Sequence, residues 1–230
     1  MLQIDHATLQ NGSFQLQADL AIATGARVAV MGPSGAGKST LLAAIAGFQP
    51  LAGGSIRWMG QDLAALAPGA RPLTMLFQDS NLFPHLTVAQ NTGLGLRPDL
   101  RLSAAEWLRV EAALGQVGLA GMAGRKPAAL SGGQQSRAAL ARALIRAQPL
   151  LLLDEPFAAL GPALTTEMLT LVGDICAETG ATLLMVTHHP ADAMALTPET
   201  LVVADGTVTG PFATDALLVN PPPALRRYLG

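Results

Sequence analysis

The chain of 230 residues holds a single cysteine, Cys176. One thiol can build neither a disulfide framework nor a thiolate zinc cluster, and a reducing cytosol is the matching compartment. Aromatic residues make up only 4% of the chain, too few for a row of base-stacking platforms. Positive charge is also scarce, with 14 Lys and Arg against 16 Asp and Glu for a formal net charge of −2. No global basic field gathers nucleic acid, and no nucleic-acid partner is expected. No apolar run reaches the roughly 18 residues that a membrane-spanning helix needs. The N-terminus lacks a charged segment followed by an apolar core, so no signal peptide is expected. What the chain has in quantity is apolar residues, half of the total, enough for one large domain or two small lobes with a real core.

One nine-residue stretch organises the rest. Gly32-Pro33-Ser34-Gly35-Ala36-Gly37-Lys38-Ser39-Thr40 matches G-x-x-x-x-G-K-[ST], the phosphate-binding P-loop. Arg27–Met31 reads as a short buried strand before it, and Leu41–Ala46 as a helix after it, ended by Gly47. Glycines at 32, 35 and 37 let the backbone curl so that several N–H groups point at one anion. The helix N-terminus adds the positive end of its dipole. Lys38 supplies a cation for the β- and γ-phosphates of a nucleotide, and Ser39 a hydroxyl for Mg²⁺.

Taken in order, residues 2–9 and 13–22 read as two strands about a turn at Asn11-Gly12, with Phe14, Leu16, Ala18 and Leu20 alternating toward a core. Gly53-Gly54 turns into a strand at 55–59, and 73–77 is a further short strand ending at Gln78. From 86 to 148 the pattern becomes helical, as over Ala104–Val117, with a Gly- and Pro-containing loop at 91–99. Leu150–Leu153 has the length and composition of a buried parallel strand, with Asp154 and Glu155 at its carboxyl end. Pro162 opens a helix whose Leu164, Met168, Leu171, Val172 and Ile175 share one face. Residues 182–186 form another buried strand ending at Thr187-His188, and 201–204 pairs with 207–210 about Asp205-Gly206. The tail, with prolines at 221–223, receives no assignment.

Strands alternating with helices imply an α/β fold. The expectation is a P-loop NTPase core with a mostly parallel sheet, an N-terminal antiparallel β-subdomain and an inserted α-helical subdomain. Within one domain spanning 1–230, residues 1–85 and 149–230 make the nucleotide-binding core and 86–148 the insertion. Ligands of such sheets sit beyond the strand carboxyl ends, where Gly32, Gln78, Asp154 and His188 all fall.

Leu130-Ser131-Gly132-Gly133-Gln134 is a second distinctive stretch. Ser131 as N-cap and Gln134 three residues on make a capping box. Two successive glycines in a first helical turn cost about 1 kcal/mol each relative to alanine. They leave a bare helix tip that phosphate oxygens can approach.

These five residues, with Arg137 and Ala141-Arg142-Ala143-Leu144, resemble the signature segment of the ATP-binding subunits of ABC transporters. The order of motifs is also similar over nearly the whole chain. The resemblance implies an ATP hydrolase in which two copies pair head to tail, so that Ser131, Gly132, Gly133 and Gln134 of one copy meet the ATP and Mg²⁺ held by the P-loop of the other. It implies Asp154 as a Mg²⁺ ligand, Glu155 as the base that polarises the attacking water, Gln78 as a residue reaching both Mg²⁺ and that water, and His188 as a γ-phosphate contact. It gives His189 no role. It also implies partners: integral membrane permease subunits and, through them, an external solute-binding protein. The location implied is the cytoplasmic face of a bacterial inner membrane, held there through the permease.

Two positions depart from the family. Ala158-Ala159-Leu160-Gly161 stands where most members have Ser-Ala-Leu-Asp. Where members stack adenine on an aromatic ring, this chain offers Asn11, and the alternation around the nearby Phe14 turns that ring toward the core. The segments Leu73–Gln78 and Asn81–Asn91, with Gly93–Leu96 and Val202–Gly206, resemble importer ATPases, those of thiamine importers most. Importers of iron, sulfate or polyamines are the alternative, and a soluble ABC ATPase outside transport is a second. Phe77, Leu82 and Phe83 are candidates for a groove that receives a helix of the permease.

Overall fold

The protein is described by a computed structural model covering residues 1–79 and 81–229; the side chains of Asn11, Arg227, Tyr228 and Leu229 lie outside the description. Ten strands form one mixed sheet: β1 (Leu2–Asn11), β2 (Phe14–Ile22), β3 (Arg27–Met31), β4 (Leu51–Trp58), β5 (Gln61–Asp62), β6 (Leu73–Leu76), β7 (Leu150–Asp154), β8 (Thr182–Val186), β9 (Glu199–Ala204) and β10 (Thr207–Ala213). Their order across the sheet is β5-β4-β1-β2-β10-β9-β3-β8-β7-β6. The run β9-β3-β8-β7-β6 is parallel throughout, while β2-β1-β4-β5 is antiparallel. The expected α/β architecture is thus present, with both strand classes joined in a single sheet through β10.

Side-chain alternation explains the layering. β2 has one buried and one exposed face, which suits an antiparallel sheet with solvent on one side. β7 and β8 are buried at every position, as strands covered on both faces must be. Leu150 and Leu152 join Leu184, Val186, Val28 and Val30 in a core under α1 (Lys38–Ala46), whose Leu41, Leu42 and Ile45 complete it. Leu151 and Leu153, with Leu183 and Met185, face the opposite core. There they meet α4 (Gly132–Ile145) through Leu140 and α5 (Pro162–Thr179) through Met168, Leu169 and Val172. Each such Leu or Ile contributes about 1.5–3 kcal/mol by leaving water. Between β6 and β7, α2 (Val88–Gly93) and α3 (Ala104–Gln116) pack with α4 into a helical layer.

Several boundaries differ from expectation for physical reasons. Gly53 and Gly54 lie inside β4 rather than in a turn before it, because the β1–β4 register shifts by a bulge between Asp5 and Thr8. The expected loop at 91–99 begins as α2, which the Thr87–Gln90 capping box starts. The face of α5 is centred on Met168, Leu169, Val172 and Cys176, with Leu164, Leu171 and Ile175 at its borders. The unassigned tail forms α7 (Thr214–Val219) and α8 (Pro223–Leu229), which follow α6 (Pro190–Leu196). Leu217 and Leu225 pack there with Ala193 against Met31 and Val202. No helix among the described residues is long and apolar enough to cross a membrane.

Candidate nucleotide-hydrolysis site

Four adjacent parallel strands, β3, β8, β7 and β6, carry the expected residues at their carboxyl ends. Val30 stands opposite Val186, Val186 opposite Asp154, and Leu153 opposite Leu76. The register therefore brings the P-loop, His188, Asp154-Glu155 and Gln78 to one edge of the sheet.

The P-loop owes its shape to close packing as well as to curl. A β-carbon at Gly32 would fall on the carbonyl of Val203. One at Gly37 would come 2.6 Å from the Phe14 ring, and Gly37 adopts φ 104 as the N-cap of α1. The first turn of α1 holds no acidic residue, so its N–H groups and dipole are open to an anion. Lys38 is 8% exposed, and its ammonium donates to the carbonyls of Gly32 at 2.8 Å and Pro33 at 2.9 Å. Burial lowers its proton affinity, against the attraction of Glu155 and Asp154.

Asp154 is 4% exposed, and burial raises its carboxyl above the usual carboxylate range. A hydrogen bond from Ser39 and the charge of Lys38 act in the opposite sense, while Glu155 adds to the rise. Its Oδ1 is buried with no hydrogen-bond partner among the described residues. A buried carboxylate oxygen left bare beside a hydroxyl is what a hard cation can satisfy.

Glu155 leaves the strand in the left-handed region, φ 46, a conformation that costs a non-glycine residue on the order of 1 kcal/mol. Its N–H is held by the carbonyl of Val186 at 3.1 Å. Its Oε2 lies 3.4 Å from Gln78 Nε2 and 3.5 Å from His188 Nδ1. The distances are long, as is common before a substrate tightens a site. Phe14, Ser34, Gly35, Gly37, Lys38, Ser39, Thr40, Gln78 and Glu155 line one cleft of about 370 Å³. The ring of Phe14 packs against the core, as its alternation implies, and also lines the cleft. The side chain of Asn11 lies outside the description.

The signature residues stand apart from this cleft. Ser131 and Gln134 form both bonds of the capping box, at 3.3 and 2.9 Å. A β-carbon at Gly132 would meet open space, whereas one at Gly133 would come 3.2 Å from the Ala159 carbonyl and from Leu160. Gly133 is therefore also a packing glycine, against the very segment that departs from the family. Gly161 caps α5 with no side-chain bond.

Near Gln78, Phe83 is exposed, Leu82 is partly buried, and Phe77 packs edge-on to Phe48 at 5.3 Å. Phe48, 57% exposed, follows the helix-ending Gly47 outside any periodic segment, so no sequence pattern marks it. The buried Asn91 amide donates to the carbonyls of Phe83, Leu86 and Thr87 and accepts from Phe83 N–H at 2.7 Å, fixing that loop to α2.

Fold and motif order define an ATP-hydrolysing cassette. Residues 16–158 match the model of the ABC transporter family, and the chain belongs to that family. Among curated relatives it is 60% identical to the thiamine import ATP-binding protein ThiQ of Cereibacter sphaeroides and 58% to that of Ruegeria, each over the full length of both chains. The thiamine import ATP-binding protein of Salmonella typhimurium is 50% identical over 95% of this chain and 93% of its own. Among solved structures, a dimeric ATP-binding cassette in a post-hydrolysis state with ADP and Pi is 30% identical, with a TM-score of 0.84 over 93% of this chain and 99% of its own. A dimeric bacterial ABC transporter cassette matches equally well.

Proposed function

We propose that this chain is the ATP-hydrolysing motor of a bacterial thiamine importer. The full-length similarity to thiamine import ATPases supports the solute. The observation that carries the chemistry is the convergence of Lys38, Asp154, Glu155, Gln78 and His188 at one sheet edge.

In this reading the N–H groups of residues 32–40 and the Lys38 ammonium bind the β- and γ-phosphates of ATP. Ser39 and Asp154, with Gln78, would hold Mg²⁺; the bare Asp154 Oδ1 fits that role. Bound there, the ion would draw charge from the phosphate oxygens. Glu155 accepts the proton of a water whose oxygen bonds to the γ-phosphorus as the bond to ADP breaks. Gln78 and His188 border that carboxylate and orient water and γ-phosphate. Ser131, Gly132, Gly133 and Gln134 complete the site of a second copy, since within one chain they stand outside the cleft. Residues 86–148 act as the helical unit that carries them. Closure of the pair on ATP would move permease subunits that contact the Phe77–Phe83 region, at the cytoplasmic face of the inner membrane.

Steady-state hydrolysis and uptake of labelled thiamine by cells carrying the chain with its permease test this. Glu155→Gln should lower kcat by about 10²–10⁴-fold with nucleotide binding kept, and should abolish uptake. Undiminished hydrolysis would refute the role of Glu155; uptake of iron, sulfate or a polyamine in place of thiamine would refute the solute.

A further inference from the structure

Thr187 and Asp192 belong to no motif used so far, yet both are buried polar side chains behind the catalytic edge, at 4% and 9% exposure. The Thr187 hydroxyl donates to Asp192 Oδ2 at 3.3 Å and accepts the His189 N–H at 3.0 Å. Thr187 N–H is anchored on the Val30 carbonyl at 3.4 Å, directly before the P-loop. On the other side, Asp192 N–H bonds the His189 carbonyl at 3.1 Å. The backbone of residue 189 is therefore held at both its N–H and its C=O. The chain turns there from β8 into α6, whose N-cap, His189, makes no side-chain capping bond. The turn brings the two imidazoles together, with ring centroids 3.9 Å apart and planes at 45°. His188 then reaches Glu155 with Nδ1, while His189 lies exposed beside it.

We infer that Thr187 and Asp192 are positioning residues for His188, with His189 as the outer support of its ring. This rests on the reading of His188 given above. A buried hydroxyl–carboxylate pair spanning five residues fixes the turn between β8 and α6 that carries the imidazole. Without it the ring is free to swing from Glu155 and the γ-phosphate, and misplacement by about 1 Å costs on the order of 10²-fold in rate. Lys38 and the P-loop are untouched, so ground-state binding of nucleotide stays.

The test uses the full chain and measures kcat and KM for MgATP. Thr187→Val, isosteric but without the hydroxyl, should lower kcat by about 10-fold or more with KM within about twofold, the signature of an interaction lost only in the transition state. Thr187→Ser should restore kcat. Asp192→Ala should act like Thr187→Val, and Asp192→Asn, which still accepts the hydroxyl bond, should retain most of the rate. In a His188→Ala background Thr187→Val should change kcat no further, because residues acting as a unit are non-additive. His189→Ala should lower kcat, and His189→Phe should recover it. A Thr187→Val loss that multiplies with His188→Ala, or that appears in KM, or that serine does not repair, overturns the inference. If His188→Ala itself leaves kcat unchanged, the reading of His188 fails and the inference with it. If His188→Ala lowers kcat and Thr187→Val does not, only the inference fails.

Discussion

Replacing Asp154 by asparagine should make the nucleotide-free chain more stable while ending its hydrolysis. The carboxylate is 4% exposed, and one of its oxygens has no partner among the described residues. Ser39 and Lys38 favour its charge, but burial outweighs them and raises its proton affinity. A raised affinity in the folded state means that ionised Asp154 subtracts stability at neutral pH. That deficit disappears as pH falls through the folded pKa toward the unfolded one. A buried polar atom left without a partner costs about 1–3 kcal/mol, and more when charged, so removing the charge should return on the order of 1–2 kcal/mol. For a chain of this size that is roughly 2–8 °C in melting temperature. Circular-dichroism melts in EDTA read it directly. With MgATP the order should invert: the parent gains about 2.7 kcal/mol at a hundredfold excess over Kd, and the variant, lacking the ion's anionic ligand, gains far less. A variant that melts below the parent in EDTA would refute the reasoning, because Asp154 would then be serving the fold rather than a ligand.

Gly161 has φ −77 and ψ 160, and a β-carbon there meets open space, so Gly161→Asp should fit as an N-cap. It should add a few tenths of a kcal/mol and raise or tighten hydrolysis in coupled assays; an unchanged or lower rate would count against a deficit at this position. Phe14→Ala should raise KM for ATP several-fold with little change in kcat, since the ring walls the cleft and braces Gly37; steady-state kinetics decide it. The buried Arg71 guanidinium donates to the carbonyls of Ala44, Ile45 and Leu66 at 2.9, 2.7 and 3.2 Å. Arg71→Ala should cost about 2–4 kcal/mol in urea unfolding, and lysine, which lacks the planar fork, should not restore it.

Most of the site was legible in the sequence because its residues sit at strand ends, where a run such as Leu150–Leu153 points straight at them. The parallel direction of β3, β8, β7 and β6 follows from alternating strands and helices, whereas their order across the sheet does not. Three things were not legible. The backbone of Glu155 turns left-handed, which no property of glutamate announces. Phe14 alternates like a core residue and packs on the core, and nothing in that pattern shows that its ring also walls the cleft beside Gly37. Residues 91–93 look like loop because they include Asn91 and Gly93, whereas the buried amide of Asn91 organises the turn before them. In each case a tertiary contact decided, and local composition does not encode it.

The alternation within β7 has a mechanical corollary. Its even-numbered leucines are seated among the side chains beneath the lysine loop, and its odd-numbered ones among those beneath the glycine-tipped helix. The strand is thus a shared wall between two chambers, and the Asp154 and Glu155 carboxylates are mounted on its end. A displacement of either chamber therefore has the same pair of oxygen-bearing groups as its nearest neighbours along the strand.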